Sequence, residues 1–203
     1  DYPLLVRTRL NLFTPYDWSV YLDADTLITG SITELFDWSK SFIATQMCDW
    51  TTSGSKIAKR INSWKPMCPT LIKPALEFGP AVNCGVYAFK RNASIFTDWY
   101  KTAIKNRDSF IPDEVSCQLL LPHHEHRIVD CRFNYSCKYG PKNVDYRIIH
   151  YHGKKHCRGA DVYMSKLWIN AYNEAIDKNI GNLKSWTPCG DRMLQRYLTK
   201  YAT

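Results

Sequence analysis

Short runs of β-branched and aromatic residues alternate along the chain with longer segments in which apolar residues recur at helical spacing. The apolar runs predict strands at residues 19–28, 41–47, 81–89, 127–131 and 145–151. Helical spacing predicts helices at residues 32–38, 94–106, 164–176 and 191–201, and a further helix that starts at Pro112. Strands that alternate with helices are typical of an α/β fold, in which helices flank a sheet.

Residues 49–80 interrupt this alternation. The segment contains four prolines together with Ser, Gly and Lys, and its apolar residues show little periodicity. This pattern predicts a long irregular loop. A loop of this length inside a compact domain is usually functional or mobile.

Length and composition favour one globular domain. The chain has 203 residues, of which 45% are hydrophobic and 14% aromatic, enough to build a core. We expect one domain over residues 1–203, with a helical C-terminal segment at about residues 160–203. No run reaches the roughly 18 apolar residues of a membrane span, so no transmembrane segment is expected. Both the cytoplasm and the lumen of the secretory pathway stay open as compartments.

The charge and the cysteines limit the chemistry. A net charge of +8 favours anionic partners such as phosphates, but the basic residues are scattered, which gives little support to dedicated nucleic-acid binding. The eight cysteines include no C-x-x-C pair, which disfavours a zinc ribbon or a thioredoxin-type site. Disulfides and buried free thiols are both compatible with the sequence. Asn92 and Asn134 each begin a glycosylation sequon, which matters only in a secreted protein.

Two carboxylates end the first predicted strand. Asp23 and Asp25 are one residue apart, so in a strand both side chains project to the same side. Neighbouring carboxylates repel each other, and a hard divalent cation that also binds phosphate oxygens relieves the repulsion. The alternative to a metal site is that the two aspartates only stabilise a turn, because Asp is common in turns. Ser31 and Glu34 then have the spacing of a helix capping box.

Three further stretches carry candidate chemistry. Asn83 and Gly85 interrupt the strand at residues 81–89, and a glycine there indicates either the close approach of a ligand or backbone, or a bulge. Asp113 and Glu114 follow Pro112, so they lie in the first turn of a helix, where its dipole favours negative charge. The run His150-Tyr151-His152-Gly153-Lys154-Lys155 supplies imidazoles for a metal and ammonium groups for phosphate. The His-rich segment at residues 123–126 is interpreted as a surface loop.

Taken in order, Y-L-D-A-D-T-L, N-C-G-V, P-D-E and H-Y-H-G-K-K resemble the motifs of the retaining GT-A glycosyltransferases of family 8. The resemblance covers residues 4–157 in patches. It implies an α/β fold with a GT-A (Rossmann-like) mixed sheet flanked by helices, forming a single catalytic domain. Only 22 residues precede Asp23, so the resemblance also implies that the family's usual first strand lies outside the given chain.

The resemblance assigns a metal site and a phosphate site. It implies that Asp23, Asp25 and His150 hold Mn²⁺, or Mg²⁺, on the diphosphate of a nucleotide sugar, and that this donor is a UDP-sugar. Gly153 matches a family glycine, and Lys154 or Lys155 supplies positive charge to the leaving phosphate.

The resemblance also implies roles around the donor. Asn83 and Gly85 line the donor sugar, Asp113 contacts sugar hydroxyls, and Arg9 approaches the nucleotide. Glu114 stands where the family often has a Gln beneath the anomeric carbon, and it is either a covalent nucleophile or a hydrogen-bonding group.

The predicted function is therefore that of a metal-dependent, retaining glycosyltransferase that uses a nucleotide-sugar donor. Its acceptor is a glycan, a protein, a lipid or a nucleic acid, and the sequence does not choose among them. Two alternatives stay open. The D-x-D-x-T pattern also fits a haloacid-dehalogenase-type phosphatase with Asp23 as nucleophile and Asp25 as acid and base. The positive charge also fits a non-catalytic module that binds sugar or nucleic acid.

Overall fold

The computed structural model describes residues 3–51, 56–136, 145–152 and 162–178. Its strands are β1 (Trp18–Leu22), β2 (Thr26–Ile28), β3 (Phe42–Thr51), β4 (Pro80–Lys90), β5 (Arg127–Val129), β6 (Tyr135–Ser136) and β7 (Ile148–His150). Its α-helices are α1 (Pro3–Val6), α2 (Lys56–Ser63), α3 (Pro69–Glu77), α4 (Ile95–Lys105), α5 (Pro112–Leu120) and α6 (Val162–Asp177). Short 3-10 helices span Arg7–Leu12, Thr33–Phe36, Leu121–His123 and Cys131–Asn134.

The strands form two sheets. The larger sheet has the order β1-β4-β3-β5, with antiparallel pairs β1–β4 and β4–β3 and a parallel pair β3–β5. The smaller sheet has the order β2-β7-β6, with an antiparallel pair β2–β7 and a parallel pair β6–β7. The chain passes from one sheet to the other within three residues, between β1 and β2. That crossing lies at Asp23, Ala24 and Asp25.

Strand β4 is the centre of the larger sheet. Its side chains are almost all buried because the sequence from Ala81 to Phe89 is nearly continuous in apolar residues, as expected of a strand covered on both faces. On one face, Trp99 of α4 meets the rings of Phe42 and Tyr87 edge-on, with centroids 5.8 and 5.4 Å apart. This aromatic cluster fixes α4 against the sheet.

Helix α5 lies wholly inside the molecule, with all nine residues buried. It begins abruptly: Ile111 adopts a left-handed backbone with φ 48°, which is strained for a β-branched residue, and Pro112 follows at the first turn. The Trp99 indole donates a hydrogen bond of 2.8 Å to the carbonyl of Asp113. The first turn of α5 is therefore anchored from a neighbouring helix.

The structure corrects three local predictions. Residues 49–80 are not a long irregular loop, because α2 and α3 lie within them. The predicted strand at residues 19–28 is two strands, because the chain turns at the two aspartates. The predicted helix at 32–38 is a single 3-10 turn, and its N-cap is Ile32 without a side-chain cap, so Ser31 and Glu34 do not form a capping box.

The other predicted elements agree within a few residues, and the helix predicted at 191–201 lies outside the described residues. Among the cysteines of the described chain, Cys68, Cys84 and Cys117 are buried free thiols, and Cys131 is buried as well. None of the described helices has both the length and the apolar character needed to cross a bilayer.

Candidate active site

Strand pairing brings two distant parts of the chain together at the crossing between the sheets. The amide of Asp23 donates to the carbonyl of Gly85 over 2.7 Å, continuing the β1–β4 ladder. In the smaller sheet Thr26 is registered opposite His150, and the amide of Tyr151 donates to the carbonyl of Asp25 over 2.9 Å. The imidazole at the end of β7 is thereby placed beside both aspartates.

Asp23, Asp25 and His150 form a compact group of potential metal ligands. His150 Nε2 lies 3.3 Å from Asp25 Oδ1 and 3.6 Å from Asp23 Oδ2. One ligand atom from each residue falls within 4.8 Å of the other two. His150 is 3% exposed, whereas the aspartates are partly open to solvent. Two carboxylate oxygens and one imidazole nitrogen are a donor set suited to Mn²⁺ or Mg²⁺.

The second oxygen of Asp23 is held by protein groups. The Tyr21 hydroxyl donates to Asp23 Oδ1 over 2.5 Å, and Arg7 Nη2 lies 3.2 Å from the same oxygen. Burial and the hydrogen bond to Asp23 raise the pKa of Tyr21, so its phenol keeps its proton. Asp23 therefore has one anchored oxygen and one that faces His150.

Arg7 joins this cluster to the start of α5. Its Nη1 lies 3.3 Å from Asp113 Oδ2. Burial raises the pKa of Asp113, and the positive charge of Arg7 opposes that rise. The other oxygen, Asp113 Oδ1, is buried without a hydrogen-bond partner in the described part of the chain. A buried carboxylate oxygen in that state can accept a hydrogen bond from a ligand hydroxyl.

Glu114 is held by two donors. Asn83 Nδ2 donates to Glu114 Oε2 over 2.6 Å, and Arg60 Nη1 lies 3.5 Å from Glu114 Oε1. Burial and the charge of Asp113 raise the pKa of Glu114 to about 7, against the opposing influence of Arg60 and Asn83. Glu114 therefore changes its charge near neutral pH.

Gly85 allows the His150 ring to approach the sheet. A Cβ at this position would lie 2.6 Å from His150 Nδ1 and 2.8 Å from Asn83 Oδ1, which is too close for either contact. The glycine in the strand thus marks the close approach of a side chain of the same protein.

The predicted site residues fall into two groups within the described chain. Asp23, Asp25, His150, Asn83, Gly85, Asp113 and Glu114 lie in one connected set of contacts. Arg9 is exposed, with its guanidinium 4.7 Å from the centre of the Tyr100 ring. The arginine that contacts both Asp23 and Asp113 is Arg7, two residues earlier. Gly153, Lys154 and Lys155 lie outside the described residues.

Sequence reasoning missed Arg7, Arg60 and Asn134. Arg7 and Arg9 are two residues apart, and the sequence does not distinguish them; in the structure Arg7 contacts Asp23 and Asp113, whereas Arg9 is exposed. Arg60 lies in the segment that is predicted to be a loop, because its apolar residues show too little helical spacing to predict α2. Asn134 was noted as the start of a sequon, but its amide is buried at 2% exposure.

The histidines outside the cluster have other contacts. His124 lies 3.3 Å from Asp98 and 3.1 Å from the Ser94 hydroxyl, so it belongs to the surface of α4. The His152 ring stacks on His150, with centroids 4.0 Å apart. The second imidazole of the His-rich stretch therefore covers the first.

Comparison with known proteins gives structural matches. No protein-family model matches the chain, and no curated protein sequence matches it. The glycosyltransferase GlyE of Streptococcus pneumoniae TIGR4 superposes with a TM-score of 0.55 at 15% identity, over 86% of this chain and 46% of GlyE. The likeness to GlyE shows a shared fold, and the predicted GT-A type of mixed sheet flanked by helices is confirmed.

Two further matches are structures of one enzyme. The galactosyltransferase LgtC, solved with donor and acceptor sugar analogues, gives a TM-score of 0.47 at 15% identity over 75% of this chain and 59% of LgtC. An active-site mutant of LgtC gives a TM-score of 0.47 at 16% identity, over 98% of this chain and 67% of the mutant. The chain thus spans about half of GlyE, 59% of LgtC in the complex and 67% of the LgtC mutant.

Proposed function

We propose that the chain is a catalytic domain of a metal-dependent glycosyltransferase, which transfers a sugar from a nucleotide-sugar donor to an acceptor with retention of configuration. The observation that carries the proposal is the placement of the Asp23–Asp25–His150 cluster beside Asp113 and Glu114, on a fold shared with a glycosyltransferase. The donor is proposed to be a UDP-sugar, and the acceptor is not assigned.

The residues present fit a divalent cation. Within the described residues, the carboxylates of Asp23 and Asp113 share the guanidinium of Arg7, and that of Glu114 faces Arg60, while Asp23 and Asp25 also meet His150 in a donor set that suits a hard cation. When bound, Mn²⁺ or Mg²⁺ supplies Lewis-acid stabilisation for the negative charge on a leaving diphosphate. Gly153, Lys154 and Lys155, which follow His150 in the sequence, keep their predicted role at the same diphosphate.

The chain's own residues orient the donor sugar. Asp113 Oδ1 offers a buried acceptor for a sugar hydroxyl, while Arg7 holds the other oxygen of the same carboxylate. Because the guanidinium also contacts Asp23, the sugar-binding carboxylate and the metal-binding carboxylate keep a fixed separation. Such rigid placement of reacting groups lowers the entropic part of the barrier.

Glu114 places a negative charge near the reacting carbon. As a glycosidic bond breaks, the anomeric carbon gains positive charge, which a nearby carboxylate stabilises. Asn83 and Arg60 each point a donor at one oxygen of Glu114, so they favour the ionised carboxylate and fix its plane. The carboxylate acts through charge in this proposal, whether or not it also forms a covalent bond.

The contacts of Asp23 argue against the two alternatives. A phosphatase nucleophile needs a free carboxylate oxygen, but Tyr21 and Arg7 hold Oδ1, and the proposal assigns Oδ2, which faces His150, to the metal. A module that only binds sugar or nucleic acid does not require the Asp23–Asp25–His150 cluster beside the buried carboxylates of Asp113 and Glu114. The fold match to a glycosyltransferase points the same way.

The test is an assay of the full-length protein with Mn²⁺ and a panel of UDP-, GDP- and CMP-sugars, following both donor hydrolysis and transfer to glycan acceptors. We expect turnover of at least one donor and its loss on removal of the metal with a chelator. The variant Asp25→Asn should lose activity by 100-fold or more, roughly the scale of losing one metal ligand's electrostatic contribution.

The matched control is Asp17→Asn. Asp17 is an exposed aspartate that precedes β1 and pairs with Arg91, so its replacement should leave turnover unchanged. Absence of hydrolysis and transfer across the whole panel, or equal losses in Asp25→Asn and Asp17→Asn, would contradict the proposed function.

A further inference from the structure

A buried amide links the two halves of the candidate site. Asn134 ends the 3-10 turn Cys131–Asn134 and is 2% exposed. Its Nδ2 lies 2.9 Å from Thr45 Oγ1, 3.1 Å from the Asn83 carbonyl and 3.0 Å from Asn83 Oδ1, while its Oδ1 lies 2.8 Å from His150 Nδ1. Every polar atom of this side chain therefore has a partner inside the protein.

Backbone groups fix the direction of each amide in this network. The Gly85 N–H donates to Asn83 Oδ1 over 3.0 Å, which leaves Asn83 Nδ2 as the donor to Glu114. The Asn83 carbonyl can only accept, so the atom of Asn134 that faces it must be the NH₂ group. The Oδ1 of Asn134 then faces His150, and the assignment does not depend on choosing an amide orientation.

The orientation of Asn134 determines the tautomer of His150. A carbonyl oxygen accepts hydrogen bonds and does not donate them, so His150 Nδ1 must carry a hydrogen. A neutral imidazole with a hydrogen on Nδ1 has its lone pair on Nε2. That lone pair is on the atom nearest to Asp25 and Asp23, where a cation would be bound.

We propose that Asn134 is a positioning residue that holds His150 in its Nδ1–H tautomer and ties the candidate metal centre to Asn83 and Glu114 by hydrogen bonds. This inference rests on the proposed function only for its consequence in catalysis. Hydrogen-bond partners of metal-bound histidines commonly set ring orientation, and their loss lowers metal affinity by about 10- to 100-fold.

Thr45 and Gly85 complete the arrangement. The Thr45 hydroxyl donates to the Val86 carbonyl over 2.7 Å, so its oxygen is free to accept from Asn134 Nδ2. The His150 ring lies against Gly85, where a Cβ would come within 2.6 Å of Nδ1. Because the amide of Asn134 is enclosed in this way, its sequon cannot be a glycan acceptor in the folded protein.

The first test reads the tautomer in the wild-type protein. The metal-free protein is labelled with ¹⁵N-histidine and examined by long-range ¹H–¹⁵N NMR at an alkaline pH at which the ¹⁵N shifts show that the His150 ring is neutral. The six histidines are distinguished by comparison with His150→Gln. We expect a protonated Nδ1 and an unprotonated Nε2 on His150, and the opposite tautomer would overturn the proposal.

The second test separates the two hydrogen-bonding roles of Asn134. Asn134→Asp keeps an acceptor for His150 but loses the donor to Asn83 and Thr45, whereas Asn134→Leu loses both. Mn²⁺ affinity, measured by EPR without any sugar nucleotide, should stay within about threefold in Asn134→Asp and fall by about 10- to 100-fold in Asn134→Leu. The matched control Asn62→Leu, on the exposed face of α2, should bind Mn²⁺ as the wild type does.

Two comparisons complete the design. Equal Mn²⁺ affinity of Asn134→Leu and the wild type would overturn the proposal, and so would a loss in Asn134→Asp as large as in Asn134→Leu. If Asn134→Leu does not fold, the tautomer of His150 measured in the wild-type protein still tests the proposal. Both readouts are obtained without a donor sugar, so a protein with the expected tautomer and affinity but no sugar transfer would contradict the proposed function while supporting the role of Asn134.

Discussion

The Arg7 guanidinium lies 3.3 Å from the buried carboxylate of Asp113 and so connects the N-terminal segment to helix α5. The same guanidinium reaches Asp23, and these two carboxylates keep the pKa of Arg7 raised although burial opposes its charge. The Arg7 guanidinium, paired with both carboxylates, therefore stabilises the fold and the site together.

Replacing Arg7 should therefore destabilise the protein. Arg7→Met removes the positive partner and leaves the carboxylate of Asp113 buried without compensation, which we expect to cost about 3 kcal/mol of unfolding free energy. Urea unfolding at neutral pH measures the change. Arg9→Met is the matched control, because Arg9 is exposed and only stacks on Tyr100, an interaction of about 0.5–1 kcal/mol. Equal losses in the two variants would show that the Arg7 contacts contribute nothing particular.

Glu114 should make stability depend on pH. Its pKa is about 7 in the folded protein and about 4.5 in its ordinary range, so the folded state binds the proton more tightly. The stability that Glu114 contributes is fully present below pH 4.5 and is lost as pH rises through 7. Glu114→Gln removes this loss, so the stability of the variant relative to the wild type should rise between pH 5 and pH 8 and then level off.

Urea unfolding at several pH values checks this expectation. Glu77→Gln, at an exposed glutamate paired with Lys73, is the control and should show no such trend. If the difference in unfolding free energy between Glu114→Gln and the wild type does not change across this pH range, the pKa of Glu114 is not raised by folding.

The same ionisation should appear in the rate of transfer. If the carboxylate stabilises positive charge on the anomeric carbon, kcat should rise with pH to a plateau, with a midpoint near 7. Glu114→Gln should lose most of the activity and also the midpoint, because the amide does not titrate. A pH profile of Glu114→Gln that retains the wild-type midpoint would assign the ionisation to another group.

A methyl group at position 85 should disturb the metal cluster. The Cβ of Gly85→Ala would meet the ring of His150 and the amide of Asn83, so both side chains must move. We expect a fall in Mn²⁺ affinity of at least tenfold, on the scale of a lost outer-shell contact. Gly30→Ala is the control, because its Cβ would meet the flexible side chain of Arg147. Unchanged Mn²⁺ binding by Gly85→Ala would show that His150 does not depend on this contact.

Local patterns in the sequence predicted most of the elements. β4 is a mostly apolar run and α4 has apolar residues at helical spacing, and the structure places both within a residue or two of the prediction. α3 was missed because Pro69 and Pro74 were interpreted as loop residues. Pro69 instead occupies the first turn, where proline is tolerated, and Pro74 is accommodated inside the helix.

The arrangement of the site required long-range information. The motifs identify the residues at positions 23, 25 and 150, but the register that pairs Thr26 with His150 depends on how two strands of the smaller sheet meet. The same holds for Asn134, whose role follows from three partners on β3, β4 and β7. A single sequence carries no signal for such a set of contacts.

The most direct measurement of the central claim is pulsed EPR of Mn²⁺ bound to the protein. An imidazole nitrogen bound to Mn²⁺ gives a ¹⁴N modulation of the electron spin echo. We predict this modulation in the wild type and in Asp17→Asn, its absence in His150→Gln, and much weaker Mn²⁺ binding in Asp23→Asn and Asp25→Asn. A wild-type protein that binds Mn²⁺ without nitrogen coupling, or a coupling that persists in His150→Gln, would contradict a single cation held by both aspartates and His150.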